Sequence, residues 1–194
     1  MKKLSSIFMI ALTACAFQAC QGPKDSKAAA DSANNVKDTT NTGKTGIGMS
    51  VDKGDAEFAV NAANGGMAEV ELGKIAQANA SNSKVKDFGA MMVMDHSKAN
   101  DEMKALAKSK NITLPDSVSN DEKKSMDDLS KKTGKDFDKA YVSNMIDDHK
   151  KDIKEFEDAT KNLKDADLKA FAEKTLPTLK KHLAAIQSIH DGMK

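Results

Sequence analysis

From Gly54 to the C-terminus the apolar residues recur at steps of three and four with almost no alternating stretch, a pattern that predicts helices and no sheet. The first segment, about Asp55 to Asn79, aligns Phe58, Ala62, Gly65, Glu69, Leu72 and Ala76 in one stripe. The second, about Lys84 to Lys108, aligns Val85, Phe88, Met92, His96, Ala99, Met103 and Leu106. Tyr141, Met145, His149, Ile153 and Phe156 form the stripe of a third segment, about Asp136 to Lys161. The fourth, about Asp165 to Gly192, carries Leu168, Phe171, Thr175, Leu179, His182, Ile186 and Ile189. Stripes of this length must be buried against one another, so the expected architecture is helix packed on helix.

The connections add the topology. Short links join the first segment to the second and the third to the fourth, whereas Ser109 to Lys135 is long and holds Pro115 and the capping sequence Ser119-Asn120-Asp121-Glu122. Two hairpins joined by one crossover predict an all-α, ferritin-like four-helix bundle with a short helix between its second and third long helices. Val85-Lys86-Asp87-Phe88-Gly89 and Leu168-Lys169-Ala170-Phe171-Ala172 stand at equivalent places in the two hairpins and give a weak internal echo. Pro177 interrupts the fourth segment, either kinking it or standing in the first turn of a second piece capped by Thr175.

Before Gly54 the helical pattern fails. Met1-Lys2-Lys3 and the uncharged run Leu4 to Phe17 have the form of a secretory signal, too short to remain as a membrane span. Leu12-Thr13-Ala14-Cys15 matches a lipobox most literally, but Cys20 is the one followed by a polar stretch, Gln21 to Lys27. Cys20 is therefore expected to carry the lipid, with a plain secreted protein as the alternative. Residues 1–20 are thus expected to be a lipoprotein signal peptide, 21–53 a disordered tether of small polar residues, and 54–194 the bundle. The expected location is the cell envelope, periplasm or outer membrane, with the membrane reached through the N-terminal lipid anchor.

Composition narrows the partners. Among 194 residues the Lys+Arg total of 30 is entirely Lys, so the planar fork that grips phosphates and guanine edges is missing. Removal of Lys2 and Lys3 with the signal leaves 28 cations against 29 anions. With no Trp and one Tyr, stacking platforms are missing too, and nucleic acid is not an expected partner. Both Cys precede the bundle, which rules out a thiolate metal site or disulfide within it.

What remains is imidazole and carboxylate. His96, His149 and His182 fall on the apolar stripes of the second, third and fourth segments, and Glu69 on that of the first, while His190 lies near the C-terminus. A carboxylate placed there needs a proton, a hydrogen-bond donor or a cation. Glu69, His96, His149 and His182 are the candidate metal ligands, with Asp152, one turn after His149, as a further one. Asp95 and Asp148 are turned about 100° from the adjacent His and Glu71 about 200° from Glu69, so these three are expected to support the site from outside. Such donors suit Zn, Fe, Mn, Ni or Cu, one divalent ion at most being expected. Met91, Met92 and Met94 beside His96 read first as core filler, although they would also suit copper.

Gly65-Gly66-Met67-Ala68-Glu69-Val70-Glu71-Leu72-Gly73, Met94-Asp95-His96-Ser97-Lys98-Ala99-Asn100, Asp147-Asp148-His149 and Thr175-Leu176-Pro177-Thr178-Leu179 with His182 together resemble the domain of unknown function 4142 family, over roughly residues 54–190. The resemblance implies an exported bacterial protein of the ferritin-like superfamily, with Glu69 or Glu71, His96, His149 and His182 as its marked positions and no settled activity. Di-iron members of that superfamily place a Glu three residues before a His on two helices, but here those positions are Val93, Ile146 and Leu179. A single metal ion, serving metal handling or a stress response, is the expected function. A non-enzymatic helical interaction module without metal is the alternative, and no catalytic residues are singled out.

Overall fold

The computed structural model describes residues 25–41 and 51–193. Among these the regular elements are all helical: α1 Ser26–Asn41, α2 Lys53–Asn79, α3 Ser83–Ser109, α4 Asn120–Ser130, α5 Gly134–Asn162 and α6 Ala166–Asp191. The four long segments expected from the apolar stripes are α2, α3, α5 and α6, and α4 is the short helix of the crossover. No helix among the described residues is long and apolar enough to cross a membrane.

Two apolar clusters fill the interior. Phe58, Met103, Phe156, Leu168, Phe171 and Leu179 belong to the first; Leu72, Phe88, Met92, Phe137, Tyr141, Met145 and Ile186 belong to the second. The order in which each helix visits the clusters gives its direction. α2 and α6 pass from the first to the second, α3 and α5 from the second to the first. The pairs α2/α3 and α5/α6 are therefore antiparallel hairpins with the most extensive contacts, and they meet through α2 against α5 and α3 against α6. The crossover must run the length of the molecule, about 40 Å for helices of this size, because α3 ends at the first cluster and α5 begins at the second.

The α2/α3 hairpin closes on glycine. A Cβ built on Gly73 would lie 2.6 Å from the Gly89 carbonyl oxygen, and one on Gly89 would lie 2.7 Å from that of Gly73. The two backbones therefore touch at this level. The helix ends are fastened by buried carboxylates: Asp55 accepts from the backbone N–H groups of Lys164 (3.1 Å) and Asp165 (2.7 Å), and Asp138 from those of Ser81 and Asn82 (both 3.0 Å). Asp138 is 2% exposed, so truncation would strand two donors. Asp138→Ala is expected to cost about 2 kcal/mol and to lower the thermal midpoint by about 4–8 °C, with Asp138→Asn costing less, as read by circular dichroism.

Two sequence expectations change. Residues 21–53 are not wholly a disordered tether, since α1 occupies Ser26–Asn41 and packs on α2. Ala30 is buried there, and the Asn34 side chain both donates to the Thr113 carbonyl (2.9 Å) and accepts from its N–H (2.7 Å). Ser26 Oγ accepts from Asp116 N–H (2.9 Å), and the Asp25 carboxylate from Asn120 N–H (2.6 Å). The composition concealed this because α1 docks through a small Ala face and through side chains that supply partners to crossover backbone. The signal region with Cys15 and Cys20 lies outside the described residues. In addition, α6 runs unbroken through Pro177, so Thr175 caps no separate piece, and Pro177 leaves the Glu173 carbonyl without its helical donor.

Candidate metal centre

On each of the four long helices the residue between the two apolar clusters is polar. Glu69 stands on α2, His96 on α3, His149 on α5 and His182 on α6, and all are at most 5% exposed. The sequence places them at one level because each helix enters and leaves this layer through cluster residues, Met92 and Met103 flanking His96, Met145 and Phe156 flanking His149. Each histidine offers one ring nitrogen such that the three lie within 4.8 Å of one another. The ring centroids are 5.3 to 6.0 Å apart, and Phe88 closes the layer edge-on at 6.1 Å from His149 and 6.3 Å from His182.

Each ring is held through one nitrogen. His96 Nδ1 lies 2.8 Å from Glu69 Oε2, His149 Nδ1 lies 2.9 Å from the Met145 carbonyl oxygen, and His182 Nε2 lies 2.9 Å from Asp95 Oδ2. These partners only accept, so the held nitrogen of each neutral imidazole carries the hydrogen and the other has a lone pair. Those other nitrogens, His96 Nε2, His149 Nε2 and His182 Nδ1, are buried without a hydrogen-bond partner, and so is Glu69 Oε1. Glu69 Oε1 is 3.5 Å from His149 Nε2. Four acceptor atoms thus lie buried in this layer without a hydrogen-bond partner, and the nearby Tyr141 hydroxyl is buried without one too. Three imidazoles, each oriented by a carboxylate or carbonyl behind it, are the arrangement by which proteins prepare metal ligands, and these three could hold a metal ion.

Protonation follows from burial. His96 is held down at about 4 by desolvation, against the nearby Asp95 charge, so its lone pair survives far below the usual histidine range. Desolvation likewise lowers His149 and His182, although Glu69 and Asp95 respectively oppose it. Burial pushes the Glu69 carboxyl above the ordinary carboxylate range, with His149 opposing that shift. Without a cation, a proton on Glu69 is the available compensation.

The remaining sequence candidates are spread around this layer. Asp95 orients His182 across the α3/α6 contact rather than its neighbour His96. Asp152 is half-buried beside Glu69, outside the three-histidine group, and its carboxyl is raised by burial and by the Glu69 charge. Asp148 faces a cavity shared with Glu122 and Lys151 instead of an imidazole, and Glu71 is ion-paired at 2.6 Å with Lys74 on the outer side of α2. These two do not support the histidines, because the helix rotation that brings His149 and Glu69 inward turns them away. Met92 packs in the second cluster and Met94 is 66% exposed, so both are core or surface residues. His190 is exposed beside Asp191. A cavity of about 30 Å³ adjoins the layer, lined by Glu69, His96, Asn100 and Asp152 among others, with room for about one water.

Phe88 and the Met145 carbonyl were not identifiable as parts of the site, the first being one apolar stripe residue among many and the second carrying no side-chain signal. The family model described as Domain of unknown function (DUF4142) matches residues 40–189. No curated protein matches the chain, and no solved structure does.

Proposed function

The chain belongs to the Domain of unknown function (DUF4142) family, and we propose that it is an exported, lipid-anchored envelope protein whose ferritin-like four-helix bundle binds one divalent first-row metal ion. His96, His149 and His182 are the ligands, and Glu69 completes the set by leaving its contact with His96 Nδ1 and turning to the ion. The observation carrying this reading is the convergence of unpartnered acceptors, three imidazole nitrogens and one carboxylate oxygen. A polar layer serving structure alone would alternate donors with acceptors. Here a proton on Glu69 would reach His149 only across 3.5 Å, longer than a good hydrogen bond.

Three nitrogens and an oxygen without thiolate suit Zn, Fe, Mn, Ni or Cu. The small cavity beside His96 leaves space for a water-sized ligand, in keeping with a role in metal handling or stress response. The anchor is supported by the basic, apolar start of the chain and by Cys20 before a polar stretch. Mass spectrometry of the mature protein should find a lipid-modified N-terminal Cys20, and an unmodified N-terminus would remove the anchor.

Elemental analysis of the untagged full chain is expected to give one equivalent of a first-row divalent ion. No bound metal, together with no thermal stabilisation by any such ion, would sink the proposal. Affinity should weaken as pH falls, because protons and metal compete for the same lone pairs. The first loss comes as the raised Glu69 carboxyl takes up its proton, and the steep loss comes near the His96 value of about 4 rather than near 6.5. Isothermal titration in buffers of differing ionisation enthalpy would count the proton released by Glu69.

A further inference from the structure

Beside the histidine layer a second cavity, of about 120 Å³, opens between α2, α4 and α5. Five carboxylates line it, Glu69, Glu122, Asp148, Asp152 and Glu155, against two cations, Lys27 and Lys151. Its volume is about that of four waters in the liquid, enough for a cation that keeps part of its hydration shell. Glu69, Asp152 and Glu155 also line the small cavity at His96, so the two spaces adjoin. Glu69 is 3% exposed and its Oε1 has no hydrogen-bond partner, placing an unsatisfied buried oxygen at the inner end of the acidic space.

The placement of these groups is not a by-product of a charged surface. Asp148, Asp152 and Glu155 follow the i, i+4, i+7 spacing of one α5 face, where like charges oppose helix stability. Glu122 is turned to the same space because the Ser119 N–H, which its carboxylate would take in a complete capping box, is donated to Asn64 Oδ1 at 2.8 Å. Among the described residues only the three histidines are spaced as a coordinating group. The acidic residues therefore stand too far apart to hold a dehydrated ion but create a field that attracts a hydrated one.

We propose that this carboxylate-lined cavity is the path by which a divalent cation reaches the histidines, Glu69 passing the ion from oxygen surroundings to nitrogen ligands. The inference rests on the metal-binding reading above. Lys27, on α1, lines the same space with its ammonium ion-paired to Asp31 at 3.0 Å, so reversing its charge adds a carboxylate to the path.

The test is the rate of Co²⁺ uptake by the full chain, followed by visible absorption in stopped flow. Glu122→Gln combined with Glu155→Gln is expected to lower the association rate about tenfold and to flatten its dependence on ionic strength. Lys27→Glu is expected to raise the rate, an opposite sign that general damage to the fold would not produce. Association rates within about twofold of wild type in both variants would overturn the path while leaving the metal site standing. A wild-type chain that takes up no Co²⁺ would overturn both.

Discussion

His149→Leu is expected to unfold at the same temperature with and without divalent metal, where the wild type gains about 4 kcal/mol at a free metal concentration 1,000 times its dissociation constant. The size of the effect follows from the position of this ring. His149 is fully buried, its Nδ1 is committed to the Met145 carbonyl at 2.9 Å, and its Nε2 faces Glu69 Oε1 at 3.5 Å. Leu fills much of the same volume without supplying a lone pair. In the metal-free state the substitution should be neutral or stabilising, because it removes an uncompensated polar contact from an apolar setting. Thermal scans of wild type and variant, with and without Zn²⁺, separate the two contributions. Equal stabilisation of both by Zn²⁺ would show that the ion binds elsewhere.

Gly73→Val should be the most damaging single change outside the site, costing about 3 kcal/mol or more and lowering the midpoint by about 6–12 °C. The first added carbon would lie 2.6 Å from a backbone oxygen of α3 and 3.0 Å from Val93 Cγ2, and a backbone cannot rotate aside as a side chain can. Relief requires α2 and α3 to separate, which loosens the layer that holds Glu69 against His96. Gly65→Ala is the contrasting control. Its Cβ meets nothing within 4 Å, so it should be neutral or stabilising by about 0.5–1 kcal/mol. Denaturation curves in which Gly73→Val matches Gly65→Ala would mean that the helices are not in contact here.

The stripes made most of this fold legible. The helix containing His96 could be read from Val85, Phe88, Met92 and Met103 because buried apolar spacing reports helix phase directly, and the same phase carried Glu69, His149 and His182 inward. What one stripe cannot report is the rotation and spacing of two helices. Asp95 was expected near an imidazole, yet that imidazole is His182, on a helix 87 positions away. The contact of Gly73 with Gly89 gives no one-dimensional signal, since a glycine at a close crossing reads like a glycine anywhere. α1 is not legible in the sequence for a third reason. Its face is made of Ala and Asn, and its attachment runs through crossover backbone at Thr113 and Asn120, partners that only the folded chain assembles.

The docking of α1 also sets the length of the leash. A flexible coil over residues 21–53 would let the bundle wander about 30 Å from its anchor. If Cys20 carries the lipid as proposed, Asp25, five residues on, is fastened to Asn120, and five residues stretch to at most about 18 Å. The proposed anchor would then confine the start of α4 and the neighbouring mouth of the acidic cavity near the membrane surface. Under the proposed anchor and metal site, the metal concentration that governs loading would be that at the membrane surface rather than that of the surrounding fluid.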